Sequence, residues 1–165
     1  MYGRPILCDF GEARSGSSKF HEDIQPYLYR APEVLLRMVW DRKVDIWNIG
    51  VLVWDLFESR HLFTAEDGNG QNSNVHHLAE MVALLGPPPT EFLQRSDYAS
   101  EFFDDDGNWE GGIEIPPMSL EDFEKNLHGS SKVPFLQFMR KMLQWAPEAR
   151  PSAKELLSDP WLTAS

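Results

Sequence analysis

Cysteine is nearly absent from this sequence, with Cys8 the single one among 165 residues. No disulfide can form within the chain, and a metal site built on several thiolates is excluded. A reducing compartment is consistent with this content but is not required by it. Histidine gives no metal signature either, because its five positions lack ligand spacing: His21, His61, His76, His77 and His128.

Basic residues are also scarce, since 15 lysines and arginines stand against 26 aspartates and glutamates, for a formal net charge of −11. A protein that binds nucleic acid replaces phosphate counterions with lysine and arginine, so this balance argues against a nucleic-acid partner. A basic protein is the natural complement of an acidic surface. The alternative is that the acidic residues only keep the protein in solution.

Long hydrophobic runs are missing. The longest apolar stretch, at about residues 46–57, is interrupted by Asn48 and Asp55 and is too short to cross a bilayer. The first five residues contain no apolar stretch of signal-peptide length, so neither a secretory leader nor a membrane anchor is expected.

The composition that is present, 42% hydrophobic with 12% aromatic residues, predicts one packed domain. Residues 5–8 are predicted as a short strand and residues 12–29 as a polar surface loop. Apolar residues occur around the whole circumference of a helix predicted over 44–58, which indicates that it is surrounded by protein. A second helix over 76–85 is ended by Gly86 and three prolines.

The C-terminal part is predicted as helical, with a mixed helical stretch over 92–103 and an acidic loop over 104–112. Ser119 is placed as a helix N-cap, and residues 133–145 as an amphipathic helix. Ser152 and Glu155 have the spacing of a capping box. The predicted fold class is therefore mainly α, with a short β remnant near Asp9.

Four short motifs occur along the chain in a fixed order. They are Asp9-Phe10-Gly11, Ala31-Pro32-Glu33, the residues Asp45, Trp47 and Gly50 spaced as Asp-x-Trp-x-x-Gly, and Arg150-Pro151. In this order they resemble the second half of a eukaryotic protein kinase. The resemblance implies a partial kinase domain over 1–165, the C-terminal lobe, with an activation segment over 9–33, a central buried helix at about 44–58 and late helices at about 119–163.

The upstream kinase motifs are not in the sequence. Only eight residues precede Asp9, and nothing matches a Gly-rich phosphate loop, a strand lysine, a His-Arg-Asp catalytic loop or its partner asparagine. By the resemblance, the N-terminal lobe and the catalytic loop are absent, and no catalytic residue is assigned. The chain alone is expected to be inactive, whether it is a truncated product or part of a longer kinase.

One nucleotide-site residue follows from the resemblance: Asp9 would hold the Mg²⁺ ion that bridges the β- and γ-phosphates of ATP. Glu33 and Arg150 would form a buried ion pair, since a guanidinium suits bidentate contact with a carboxylate. The remaining motif residues would have structural roles: Phe10, Gly11, Asp45, Trp47 and Gly50. Asp45 would accept hydrogen bonds from the catalytic loop.

Further short sequence segments resemble the CMGC group of kinases, and particularly fungal kinases related to the SR-protein kinases. They are Glu12-Ala13-Arg14, Leu84-Leu85-Gly86-Pro87-Pro88 and the long insert before Phe135. The resemblance implies Arg/Ser-rich protein substrates, which an acidic stretch over 101–110 would suit, and a cytoplasmic or nuclear location. The alternative for that stretch is an ordinary solvated loop.

Residue 26 departs from the family pattern. Many Ser/Thr kinases have a threonine there whose hydroxyl bonds the catalytic aspartate, whereas this chain has Pro26, which also lacks a backbone donor. Candidate phosphorylation sites nearby, with none singled out, are Ser15, Ser17, Ser18, Tyr27 and Tyr29.

Two hypotheses follow. The first is the C-lobe portion of an ATP-dependent protein serine/threonine kinase. The second is a non-catalytic, pseudokinase-like fragment that binds a basic protein or a kinase partner through its acidic or apolar faces.

Overall fold

Helices form nearly all the regular structure in the part of the chain that the computed structural model describes, residues 6–14 and 19–163. Among these residues, no helix is both long and apolar enough to cross a bilayer. The α-helices are α1 (Pro32–Leu35), α2 (Lys43–Glu58), α3 (Asn74–Leu85), α4 (Thr90–Leu93), α5 (Leu120–Phe123), α6 (Lys132–Met142), α7 (Ala153–Leu156) and α8 (Pro160–Thr163). Single 3₁₀ turns cover Tyr27–Tyr29, Asp97–Glu101, Gly129–Ser131 and Pro147–Ala149.

The predicted mainly helical class is confirmed, but the predicted strand at 5–8 is wrong over the residues described there. Ile6 and Leu7 are each 83% exposed, and no neighbouring strand pairs with them. A strand needs a hydrogen-bonded partner, and local apolar sequence does not supply one. Pairing in the described residues is limited to three isolated antiparallel bridges: Phe20 with Trp40, Glu66 with Asn72, and Phe103 with Trp109.

Helix α2 is the centre of the fold. Its buried face repeats at spacings of three and four residues, through Val44, Trp47, Val51 and Trp54, and packs on α6. Trp47 stacks on Phe63 with ring centroids 6.0 Å apart. Apolar side chains from most of the described elements join this one core.

The opposite face of α2 is open, so the prediction that protein surrounds this helix is wrong for that face. Ile49 and Leu52 are exposed, and Leu56 is 74% exposed, at the spacing of one helical stripe. Trp47 and Trp54, on the packed face, are completely buried. The exposed stripe is called the open α2 face below.

The helix ends follow local capping chemistry. Ser73 accepts a hydrogen bond from the His76 N–H, which starts α3 two residues before the predicted position. The predicted N-cap at Ser119 and the capping box of Ser152 with Glu155 are both confirmed. The mixed helical stretch predicted over 92–103 is interrupted in the structure. Helix α4 ends at Leu93, and a separate 3₁₀ turn covers Asp97–Glu101.

His77 is completely buried on α3 against the rings of Phe63 and Tyr27, with centroid distances of 4.8 and 5.8 Å. Neither ring nitrogen has a hydrogen-bond partner. Burial, with a smaller contribution from the charge of Arg30, lowers the pKa of His77 to about 3. The folded protein therefore holds this imidazole neutral where the unfolded chain would protonate it.

We expect stability to fall on acidification because of His77. The unfolded chain binds a proton near pH 6.5 and the folded chain does not, so stability is intact above that pH and falls below it. The loss between pH 7 and pH 5 is about 2 kcal/mol, and His77→Phe should abolish most of it. Urea unfolding at both pH values checks this. The exposed His128→Gln serves as control, and a His77→Phe variant with the full pH dependence would contradict the assignment.

We expect Gly50→Ala to destabilise the fold. A Cβ at residue 50 would lie 3.0 Å from the Met142 Cβ and 3.1 Å from Leu143 Cδ2. Alanine gains about 0.5–1 kcal/mol in helix propensity, but overpacking a core costs about 1–3 kcal/mol, so we expect a net loss. Thermal unfolding measures it. Gly68→Ala is the control, because a Cβ there meets nothing within 4 Å, and equal behaviour of the two variants would refute the packing argument.

Candidate functional site

The Asp9-Phe10-Gly11 segment lies on the surface. Asp9 is exposed with a left-handed backbone, φ 62°, and Phe10 is also exposed. The Ala13 N–H donates to the Phe10 carbonyl at 3.0 Å, which makes a turn directly after the motif. The Asp9 carboxylate is thus open to a cation.

Within the described residues, no three histidine, cysteine, aspartate or glutamate side chains lie together to hold a metal ion. A carboxylate oxygen is a ligand that Mg²⁺ accepts, and Mg²⁺ normally completes its shell with water and substrate phosphates. Asp9 therefore fits the role of one protein ligand to a nucleotide-bound Mg²⁺. It would not hold the ion by itself.

Downstream of Ser18, the segment is anchored on Trp40. Phe20 and Trp40 exchange two backbone hydrogen bonds, at 3.2 and 2.9 Å, and their rings lie 4.8 Å apart. The Trp40 indole N–H also donates to the Glu22 carbonyl at 2.8 Å. These contacts fix the segment to the loop that leads into α2.

Two arginines bind carboxylates of the same segment. Arg14 donates to Glu22 at 3.1 Å and also contacts Glu12, while Arg30 pairs with Asp23 at 3.0 Å. Hydrogen bonds from its own backbone and from Arg14 lower the pKa of Glu22. Glu22 is exposed, so this pair adds little stability.

Gln25 joins the segment to α2. Its backbone has φ 72°, its Nε2 donates to the Val44 carbonyl at 2.8 Å, and its Oε1 accepts the Ala31 N–H at 2.9 Å. The Gln25 carbonyl accepts a longer bond, 3.4 Å, from Arg30 Nε.

Two tyrosine hydroxyls hold the next turn. Tyr29 donates to Asp55 Oδ2 at 2.6 Å, and the same oxygen contacts His61 Nδ1 at 2.6 Å. The hydrogen bond to Asp55 raises the pKa of Tyr29 to about 12. Tyr27 donates to Asn74 Oδ1 at 2.7 Å, so α2 and α3 each bind one end of the 3₁₀ turn.

Glu33 and Arg150 meet across the fold, 117 residues apart in sequence. Both are buried, and the two guanidinium NH groups donate to the two carboxylate oxygens at 2.6 Å each. Arg150 donates its other three N–H groups to the carbonyls of Gln144, Lys43 and Trp145. All five donors of the guanidinium are therefore used.

The remaining motif residues lie on α2. Trp47 is buried with its ring 5.3 Å from the Arg150 guanidinium carbon, and Gly50 gives α2 its close approach to Met142. Asp45 is on the exposed side of the helix, where partial shielding by neighbouring protein raises the pKa of its carboxyl. Trp47 and Gly50 thus belong to the buried face of the helix and Asp45 to the other.

The structure brings Glu33, Trp47 and Arg150 together and keeps Asp9 well apart along the surface segment. Sequence analysis did not identify the polar contacts of Gln25, Asp55 and His61. No local signal marks them, because each bond depends on the path of the segment across α2. Ser15, Ser17 and Ser18 lie outside the described residues.

We expect Glu33→Gln to cost roughly 3–5 kcal/mol of unfolding free energy, because it leaves the Arg150 charge buried without its counter-ion. Chemical denaturation measures the loss. Glu148→Gln is the matched control, since Glu148 pairs with Arg95 on the surface and should contribute no more than about 1 kcal/mol. Similar losses for both variants would show that burial does not govern the Glu33–Arg150 pair.

Comparison with known proteins shows which family this chain resembles. The family model described as a protein kinase domain matches residues 3–162. A serine/threonine protein kinase of Aspergillus fumigatus is 55% identical over 99% of this chain and 41% of its own length. The chain therefore spans about two fifths of that relative.

More distant relatives are also kinases. A serine/threonine-protein kinase SRPK of Physarum polycephalum is 30% identical over 94% of this chain and 38% of its own length. The dual specificity tyrosine-phosphorylation-regulated kinase 3 of Mus musculus is 30% identical over 96% and 30% respectively. With the family model matching nearly its whole length, this chain belongs to the protein kinase family.

Proposed function

We propose that this chain is the C-lobe portion of a CMGC-group protein kinase, resembling the SR-protein kinases, that phosphorylates protein serine or threonine when an N-terminal lobe and catalytic loop complete it. The observation that carries the proposal is the alignment of nearly the whole chain with two fifths of a serine/threonine kinase at 55% identity. The proposed partial domain covers 1–165, with the activation segment at 9–33, the central helix at 44–58 and the late helices at 119–163.

In this proposal Asp9 contributes one carboxylate to a Mg²⁺ ion bound with ATP. The ion would neutralise charge on the transferred phosphoryl group. The chain's own contribution is then positional: Glu33 and Arg150 fix the end of the activation segment, and Trp40, Gln25 and Tyr29 fix its course over α2. No residue of this chain is assigned as the catalytic base.

The proposed substrate class is Arg/Ser-rich protein, and the proposed location is cytoplasm or nucleus. Support for the substrate class comes from the net charge of −11 and from the acidic loop over 101–110. In that loop Asp104 accepts hydrogen bonds from the N–H groups of Asp106 and Asn108 and from the Asn108 amide. These bonds lower the pKa of Asp104, so this carboxylate keeps its charge.

The open α2 face supports the second candidate, a non-catalytic binding protein. Ile49, Leu52 and Leu56 expose apolar side chains in one stripe, and such patches attract protein partners. In that case a kinase partner or a basic protein would bind this chain without phosphate transfer.

A chimaera tests the first candidate: this chain replaces the matching segment of the Aspergillus fumigatus kinase. We expect the chimaera to transfer phosphate from ATP to an Arg/Ser-rich peptide, and the isolated chain to transfer none. Asp9→Asn in the chimaera should reduce the rate at least about a hundredfold, because charge stabilisation at the phosphoryl group is lost. Radiolabelled phosphate incorporation is the measurement.

Asp97→Asn, at an exposed position outside the acidic loop, is the matched control for charge. A chimaera that folds cooperatively but transfers no phosphate would favour the binding protein. Transfer by the isolated chain would also overturn the proposal, because it would require a catalytic base that the proposal does not assign.

A further inference from the structure

Pro26 has no side-chain group that can hydrogen-bond, so it cannot anchor this part of the chain to a neighbouring element. Pro26 has no N–H to donate, and its carbonyl is occupied by the Tyr29 N–H at 2.9 Å within the 3₁₀ turn. The residue therefore makes no side-chain hydrogen bond that could hold the segment to α2. The neighbouring residue, Gln25, makes two.

We propose that Gln25 is a positioning residue, whose carboxamide clamps the end of the activation segment to the first turn of α2. Nε2 donates to the Val44 carbonyl at 2.8 Å, and Oε1 accepts the Ala31 N–H at 2.9 Å. One rigid, planar group thus bridges a helix and a loop that are 13 residues apart in sequence, from Ala31 to Val44. Donor and acceptor on the same group are what the bridge needs.

Burial makes the acceptor half of the clamp important. Ala31 is completely buried, so its N–H would have no access to water if Oε1 were removed. Ala31 directly precedes α1, which contains Glu33, the partner of Arg150. The clamp therefore acts on the same short segment as the buried ion pair, from its N-terminal side.

The backbone of Gln25 has a conformation that glutamine seldom adopts. A φ of 72° is the left-handed conformation, which asparagine and glycine adopt more easily than glutamine. If the backbone were the only constraint at residue 25, asparagine would suit the position at least as well. In the structure the full length of the glutamine side chain spans from this backbone to Val44 and Ala31.

Arg30 completes the arrangement. Its guanidinium pairs with the Asp23 carboxylate at 3.0 Å and donates to the Gln25 carbonyl at 3.4 Å, so it also contacts the backbone of the clamp residue itself. That this placement serves substrate positioning rests on the proposed kinase function, whereas the clamp itself does not.

Hydrogen exchange at the Ala31 amide of the whole chain tests the clamp. Gln25→Asn keeps the amide and suits the backbone, but it shortens the side chain by one methylene. We expect at least about tenfold faster exchange at Ala31, with the buried α2 amides of Trp47, Val51 and Trp54 unchanged. Gln25→Glu keeps the length and the acceptor but replaces the Nε2 donor with an oxygen that faces the Val44 carbonyl, so it should also raise the Ala31 exchange rate, by at least about threefold.

The exposed Gln94→Asn is the control for the same chemical change elsewhere. Wild-type protection of Ala31 in Gln25→Asn would overturn the proposal, as would wild-type protection in Gln25→Glu, which lacks the donor to Val44. If Gln25→Asn also accelerates the α2 amides, the Gln25→Glu result decides. No phosphate transfer is involved, so this outcome is independent of the chimaera experiment.

Discussion

The buried contact between Glu33 and Arg150 is the constraint on which the other parts of this structure depend. Arg150 uses all five of its guanidinium donors, on Glu33 and on the carbonyls of Lys43, Gln144 and Trp145. It therefore fixes the beginning of α2, the beginning of the loop after α6 and the first turn of α1 at one point. Because a buried charge must be fully paired, these three segments cannot move independently.

Helix α2 has one face that is packed in the core and one face that is exposed. Its tryptophans pack into the core, while Ile49, Leu52 and Leu56 remain exposed. The same helix thus provides both the scaffold for the late helices and an apolar surface. In the proposed kinase, that surface would be available to the N-terminal portion of the protein. In the alternative, it would be available to a separate partner.

The segment over residues 19–31 gains its position from polar contacts rather than from apolar burial. Trp40 holds its middle, Gln25 bridges to α2, and Tyr27 and Tyr29 bind α3 and α2. Each contact is individually modest, but together they determine the path over residues 19–31. Hydrogen bonds can therefore hold this segment in one conformation across the helices although few of its side chains are buried.

The sequence by itself determined the order of the motifs, the mainly helical class, the capping residues Ser119 and Ser152, and the extent of α2 to within one residue. These features depend on local chemistry, such as helical spacing of apolar residues and hydrogen bonds within three or four positions. Only the tertiary structure decided that the strand at 6–8 does not form and that one face of α2 is open. It also decided that Gln25 binds α2 and that Asp55 and His61 contact Tyr29. These outcomes depend on which distant groups meet, and a hydrogen bond between residues tens of positions apart leaves no pattern in the local sequence.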